Sequence, residues 1–171
     1  MNAKQLRVTL PTPEQLTRIE RKPIYIVLDN VLDTYNIGSI FRLADATAAR
    51  EIILCGGSER PPSSRIHKAA VGTEEWVPWR HLDTAAEAIA DLRAKVPGLT
   101  VVAVEQSPGA VKLTDLSVEL PVAVVVGHET EGVSRGALMV ADTVVEIPMW
   151  GVNKSLNVVV STGIALYKIL S

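Results

Sequence analysis

Short apolar runs rich in β-branched residues recur along the chain at 24–28, 51–55, 99–104, 122–126 and 143–147. Each has the length and composition of a strand buried on both faces, where side chains of either parity meet a hydrophobic layer. Between several of them the apolar period lengthens to that of a helix. The clearest case is 83–93, with Asp83 as N-cap and Glu87 in the first turns, and Pro97-Gly98 stops it. Residues 13–21 read as a short amphipathic helix with Leu16 and Ile19 inward. The last segment, 155–170, contains a Val158-Val159-Val160 run that suits a strand equally well. Its length and the Leu156, Val160, Ile164, Tyr167 spacing decide for a helix. Alternating strands and helices predict an α/β fold: a mostly parallel sheet sandwiched by helices. No repeat or linker divides the chain, and 56–64, with Gly56-Gly57 and Pro61-Pro62, is a surface loop. Residues 1–171 therefore form a single domain, with 1–22 as an N-terminal helical extension.

Composition narrows the class. With 47% hydrophobic and 21% charged residues in 171, the chain can bury a core, which excludes a disordered adaptor. A net charge of −2 excludes a protein that coats nucleic acid indiscriminately. The single cysteine, Cys55, sits in an apolar run and reads as a small buried hydrophobe, with no disulfide or cysteine-based zinc site to build. Residues 1–7 do not resemble a leader and no apolar segment approaches the ~20 residues of a membrane span, so a cytoplasmic protein with no membrane contact is expected.

Three polar clusters follow apolar strands. In Asn36-Ile37-Gly38-Ser39-Ile40-Phe41-Arg42, Asn36 is placed to cap a helix running to about Thr47, with Ile40, Leu43 and Ala44 as its buried stripe. Arg42 then sits in the second turn, near the carboxyl end of the first strand, where open parallel sheets bind ligands; the plain alternative is a solvated charge behind an ordinary cap. Residues 127–132 (Gly-His-Glu-Thr-Glu-Gly), followed by Ser134 as a cap, form a loop that lets a ligand approach backbone amides. It has neither GxGxxG spacing nor a Lys-Ser/Thr pair, so neither a dinucleotide nor an ATPase site is supported. His128 reads as a hydrogen-bonded loop histidine, and the three histidines lack metal-ligand spacing, so no metal is expected. The third cluster, Ile147-Pro148-Met149-Trp150-Gly151-Val152-Asn153-Lys154-Ser155-Leu156-Asn157, is a strand, a Pro- and Gly-containing loop and Ser155 at a helix start.

Together the three clusters, in order and at matching separations, resemble the motifs of the SpoU/TrmH family of RNA ribose 2′-O-methyltransferases in the SPOUT superfamily, over the chain from about Lys22 to its end. The resemblance implies a C-terminal trefoil knot and a homodimer. It also implies S-adenosyl-L-methionine held largely by backbone groups, by position those of Gly127, Ile147, Met149 and Leu156 with Val104 and Glu105. Arg42 matches the family's catalytic arginine. A guanidinium, with a pKa above ~12, is a poor base, so positioning the 2′-hydroxyl and its phosphate is the safer role. Asn36, Glu129, Ser155 and Asn157 match the polar residues around the reaction, orienting Arg42 and substrate. The sequence departs from the family pattern after Asn157-Val158, where Val159 and Val160 stand in place of a small polar residue.

The implied substrate is a structured RNA, tRNA favoured over rRNA. The alternative is a non-catalytic RNA-binding or assembly protein with the same knotted fold, which the intact polar set argues against. A dehydrogenase-like reading needs a glycine-rich turn that 29–36 do not supply. Trp76 and Trp79 either stack bases or pack at an edge, and edge packing is favoured; Trp150 is the better contact for cofactor or substrate. Residues 1–22 hold five basic and two acidic side chains and 60–81 hold four and two, while 83–146 hold four and ten. The near-neutral total thus conceals a polar molecule. Arg18, Arg21, Lys22, Arg60, Arg65, Lys68 and Lys154 are the candidate phosphate contacts for selective, salt-sensitive docking of one folded RNA.

Overall fold

The computed structural model describes residues 10–171. The reading of residues 1–7 as lacking a leader, and residues 1–9 of the N-terminal extension, lie outside these residues. In chain order the elements are α1 (Pro13–Thr17), β1 (Lys22–Asp29), α2 (Thr34–Ala46), β2 (Ala49–Cys55), α3 (Ser64–Ala70) and β3 (Trp79–Leu82). Then come α4 (Ala85–Lys95), β4 (Thr100–Val104), β5 (Val111–Lys112), β6 (Val122–Gly127), α5 (Arg135–Val140), β7 (Thr143–Glu146) and α6 (Val158–Leu170). No helix among the described residues is long and apolar enough to cross a membrane.

All strand pairs are parallel, in the order β3-β2-β1-β6-β4-β7-β5. Alternate residues of each central strand enter two separate cores. Ile24, Ile26 and Leu28 of β1 and Val122, Val124 and Val126 of β6 join Ile37, Ile40 and Phe41 of α2 and Ala165 and Leu166 of α6. Val27, Ala123 and Val125 point the other way, onto Ala88, Ile89 and Leu92 of α4 and Ala137 of α5. Two covered faces are why the strands read as unbroken apolar runs. Because all strands run the same way, the carboxyl ends of β1, β6, β4 and β7, neighbours in the sheet, open on one edge. That arrangement gathers the three polar clusters.

Several local readings change. Thr84, not Asp83, caps α4: its Oγ1 accepts from Glu87 N at 3.2 Å and Glu87 Oε2 accepts from Thr84 N at 3.2 Å, a closed capping box. Asp33, not Asn36, caps α2, its Oδ1 accepting from Tyr35 N at 2.7 Å. Arg42 therefore falls in the third turn. The helix read at 13–21 ends at Thr17, buries no residue fully and leaves Leu16 and Ile19 half-buried. The last helix starts at Val158 with Asn157 as cap, not at Ser155. The Leu156, Val160, Ile164, Tyr167 stripe faces outward while Val158, Thr162, Ala165 and Leu166 are buried.

Strand β3 lies where the sequence showed only a tryptophan pair, and helix α3 follows the loop read at 56–64 in a stretch for which no element was read. Trp76 packs at the core margin and donates through Nε1 to Asp45 Oδ1 at 2.7 Å, and Trp79 is half-buried on the edge strand. Both tryptophans thus take the edge-packing role. Burial pushes the Cys55 thiol up to about 12, with nearby Asp29 adding to the shift, so it is an inert core group.

Candidate active site

A cavity of about 470 Å³ lies at the carboxyl edge of the sheet. Its walls come from the end of β4 (Val104, Glu105, Gln106), the end of β6 with the loop after it (126–132), and the segment between β7 and α6 (Ile147, Met149 and 153–158). Gly127, Ile147, Met149, Leu156, Val104 and Glu105 all line it, as do Glu129, Ser155, Asn157 and Lys154. Its size is that of a small-molecule site, and its mixture of apolar wall and polar rim suits a ligand with both characters.

The loop after β6 folds back on itself. His128 N donates to Gly132 O at 3.0 Å and Gly132 N to His128 O at 2.9 Å. His128 Nδ1 accepts from the amides of Thr130 and Glu131 at 3.0 and 3.1 Å, so this ring shapes the turn. A Cβ on Gly127 would lie 2.2 Å from the carbonyl carbon of Gly132. One on Gly132, whose φ is +72°, would lie 2.1 Å from Glu105 Oε2. Glycine at both positions is what lets the loop close against the cavity wall.

Three polar side chains from the three clusters form one chain of hydrogen bonds. Asn157 Nδ2 donates to Asn36 Oδ1 at 3.1 Å, and Asn36 Nδ2 donates to Glu129 Oε1 at 3.1 Å. Glu129 also accepts from the amides of Asp33 at 3.0 Å and Leu32 at 3.3 Å. Desolvation pulls the Glu129 carboxyl upward, but the hydrogen bonds from Asn36 and the backbone outweigh it and hold the group below the usual carboxylate range. Asn157 serves twice, since its Oδ1 also accepts from Val159 N at 2.9 Å to start α6. Asn36 can join this set because Asp33 has taken over the cap.

Asp29 was not read as a site residue, yet its buried carboxylate accepts from Ser134 N at 2.7 Å, tying the end of β1 to the cap of α5. Gln106 was also missed; its Nε2 donates to Lys154 O and ties β4 to the third loop. An acidic or amide residue within two positions of the carboxyl end of a buried strand is the signal that could have found both.

The other expected residues are placed as follows. Arg42 is exposed on α2, makes no ion pair among the described residues and does not line the cavity. Arg60, Arg65 and Lys68 are exposed on the loop leaving β2 and on α3. Arg18 and Lys22 lie at the opposite, amino end of β1, with Arg18 paired to Glu14. Arg21 is used internally: its Nη1 and Nη2 donate to the carbonyls of Ala49 and Trp76 at 3.0 and 2.8 Å. The seven cations therefore do not share one face, because the chain between α1 and β1 enters the sheet from the end remote from the cavity. His67, Glu74 and Glu75 form a separate group whose ligand atoms lie within 4.8 Å of one another, in which His67 Nδ1 contacts Glu74 at 2.5 Å.

Residues 23–167 match the family model described as the SpoU rRNA Methylase family. The chain is 32% identical over 97% of its length to a 23S rRNA (guanosine-2'-O-)-methyltransferase RlmB of Ralstonia nicotianae. It superposes with a TM-score of 0.79 and 28% identity on a TrmH/SpoU tRNA modifying enzyme of A. aeolicus, covering 91% of this chain and 81% of that one. An AdoMet-bound rRNA methyltransferase from Sinorhizobium meliloti gives 0.78 and 31%, covering 85% and 55%. The chain spans 66% of the length of the Ralstonia relative and 62% of one of the same description from Pseudomonas syringae.

Proposed function

The chain belongs to the SpoU rRNA Methylase family, and on that footing we propose that it transfers a methyl group from S-adenosyl-L-methionine to a ribose 2′-hydroxyl of a structured RNA. The observation that carries this reading is the meeting of Asn36, Glu129 and Asn157, from three separated segments, at the rim of one cavity.

The residues present fit the cofactor. Val104, Val126, Ile147 and Leu156 give the cavity an apolar wall suited to a purine, and the glycines at 127 and 132 let the loop that bounds it close tightly on itself and on Glu105. Bound there, S-adenosylmethionine supplies a methyl on a sulfonium, already activated for displacement. The chain's part is then to place a 2′-hydroxyl in line with that methyl and to ease loss of its proton. Glu129, held ionised and spoken for by three donors, anchors Asn36 and the Leu32–Asp33 backbone rather than acting as a strong base. Asn36 and Asn157 fix the start of α2 against the start of α6, and Ser155 stands exposed on the cavity lining, ready for substrate. Arg42 supplies a permanent cation for the hydroxyl's phosphate neighbour.

Arg42 does not reach the cavity of its own chain, and the outward face of the adjacent helix α6 is apolar: Val160 is 48%, Ile164 41% and Tyr167 57% exposed. Such a patch on a packed helix supports the homodimer that the resemblance implies. The trefoil knot comes to this chain with family membership. Of the expected phosphate contacts, Lys154 at the cavity and Arg60, Arg65 and Lys68 beyond β2 are the ones positioned to serve an RNA at this edge. The relatives named for substrate act on 23S rRNA and on tRNA; tRNA remains the favoured substrate here. Incubating the protein with methyl-labelled cofactor and, separately, total tRNA and rRNA, then mapping the product, tests the proposal. Label in a ribose 2′-O-methyl nucleoside supports it; no transfer, or transfer to a base, overturns it.

A further inference from the structure

We propose that Glu105 recognises the ribose of the cofactor, its two carboxylate oxygens accepting from the 2′- and 3′-hydroxyls. The proposal rests on reading the cavity as an S-adenosylmethionine site and names the group there that would read the sugar.

Three carboxylates line the cavity: Glu105, Glu129 and Glu131. Glu129 is engaged by three donors on the side of the reaction residues, and Glu131 is exposed at the tip of the folded-back loop. Glu105 differs from both. It is half-buried at the end of a central strand, its own amide donates to Val145 O at 2.9 Å, and each of its oxygens is fixed by one backbone amide. Oε1 accepts from Gln106 N at 2.9 Å and Oε2 from Val133 N at 2.7 Å. An ionised carboxylate has about four acceptor directions, so each oxygen keeps capacity for one further donor. Two adjacent acceptors held rigidly match two adjacent hydroxyl donors.

Position along the cavity selects the sugar over the rest of the cofactor. Glu105 follows directly on Val104, which belongs to the apolar wall with Val126, Ile147 and Leu156. The cofactor is built in the order adenine, ribose, sulfonium, amino acid. With adenine on the wall, the first polar group beyond it meets the ribose, while the ammonium lies at the other end of the molecule. Gly132 belongs to the same device, since a Cβ there would lie 2.1 Å from Glu105 Oε2 and displace the carboxylate.

The test compares the wild-type chain with Glu105→Ala, and with Glu105→Gln, which keeps the volume and one acceptor, after thermal melting confirms that each is folded. Calorimetry measures three probes: S-adenosylhomocysteine, 5′-methylthioadenosine, which keeps the diol and lacks the amino acid, and the 2′,3′-dideoxy analogue of the latter. Losing a pair of charge-assisted hydrogen bonds should weaken the first two about tenfold or more, while the dideoxy analogue binds wild type and variants within about twofold. Equal weakening of all three probes means that Glu105 only props the loop, and overturns the proposal. Weakening of S-adenosylhomocysteine alone assigns the carboxylate to the ammonium and also overturns it, as does no change at all. Failure of the wild-type chain to bind S-adenosylhomocysteine removes the cofactor reading itself, a result distinct from any of these.

Discussion

Asn36 Nδ2 donates to Glu129 Oε1 at 3.1 Å, joining positions 93 residues apart and fixing the start of α2 against the loop after β6. Neither residue belongs to the apolar wall, so the bond serves alignment at the rim. Replacing either with Ala should lower methyl transfer by about 100-fold, the scale expected when reacting groups are displaced by about 1 Å. Cofactor affinity should stay within a few-fold. Single-turnover transfer measured beside calorimetry checks the split, and an equal loss in both would show that the bond only maintains the cavity.

The same bond gives a pH signature. The Glu129 carboxyl is lifted by desolvation and lowered more by hydrogen bonds from Asn36 and the backbone of Asp33 and Leu32, leaving it below its ordinary value. A depressed carboxyl stabilises the fold above its unfolded pKa of about 4.3 and loses that contribution as pH falls through the lowered folded value. The melting temperatures of wild type and Glu129→Gln should therefore differ at pH 7, begin to converge as pH falls below about 4, and meet only once pH has passed below the lowered folded value. A gap that stays constant down to pH 3 would refute this account of the group.

Arg42 is exposed and has no ion-pair partner among the described residues. Arg42→Ala should consequently leave melting temperature and cofactor affinity nearly unchanged while turnover drops by at least about 100-fold, typical of removing a group that steadies transition-state charge. Lys in its place should recover little, because an ammonium lacks the planar fork that grips a phosphate. Unchanged turnover in Arg42→Ala would remove the residue from the reaction.

Much of the scaffold was legible because a two-sided parallel sheet writes its central strands as plain apolar runs. Strand β3 was not, because an edge strand needs no such run: it carries Arg80 and His81, with Arg80 bonded to Glu51 at 3.1 Å and to Asp91 at 2.5 Å. The site was legible in position, since every parallel strand delivers its carboxyl end to the same edge. Its local detail was not. Asp33 and Asn36 are both good caps, and only the partner at Glu129, far away in sequence, decides which one turns inward. Likewise the apolar spacing of α6 identified a helix without saying which of its two apolar faces meets the core.

Gly38 offers a test of packing where propensity and structure disagree. An exposed helical Gly→Ala change stabilises by roughly 1 kcal/mol. At Gly38 the added Cβ would lie 2.6 Å from both Ala69 Cβ and Ile66 O, where α2 crosses α3. The sign should reverse, with Gly38→Ala costing about 1–3 kcal/mol through overpacking, read as a fall of several degrees in melting temperature. A neutral or stabilising result would mean that α2 and α3 stand farther apart than described.

The outward face of α6 carries the last test. Val160, Ile164 and Tyr167 lie on one side of the helix, away from the buried Val158, Thr162, Ala165 and Leu166. Exposed apolar side chains in a row at helical spacing are what a symmetric partner would cover. Sedimentation should therefore give twice the chain mass of 18.4 kDa for the wild type. Ile164→Glu would put a charge at the centre of that face without touching the core, so it should yield a folded species at the single-chain mass. Tyr167→Asp should act in the same direction from the end of the stripe. A wild type that sediments at 18.4 kDa over a wide concentration range, or an Ile164→Glu chain that stays paired, would place the contact elsewhere or deny it.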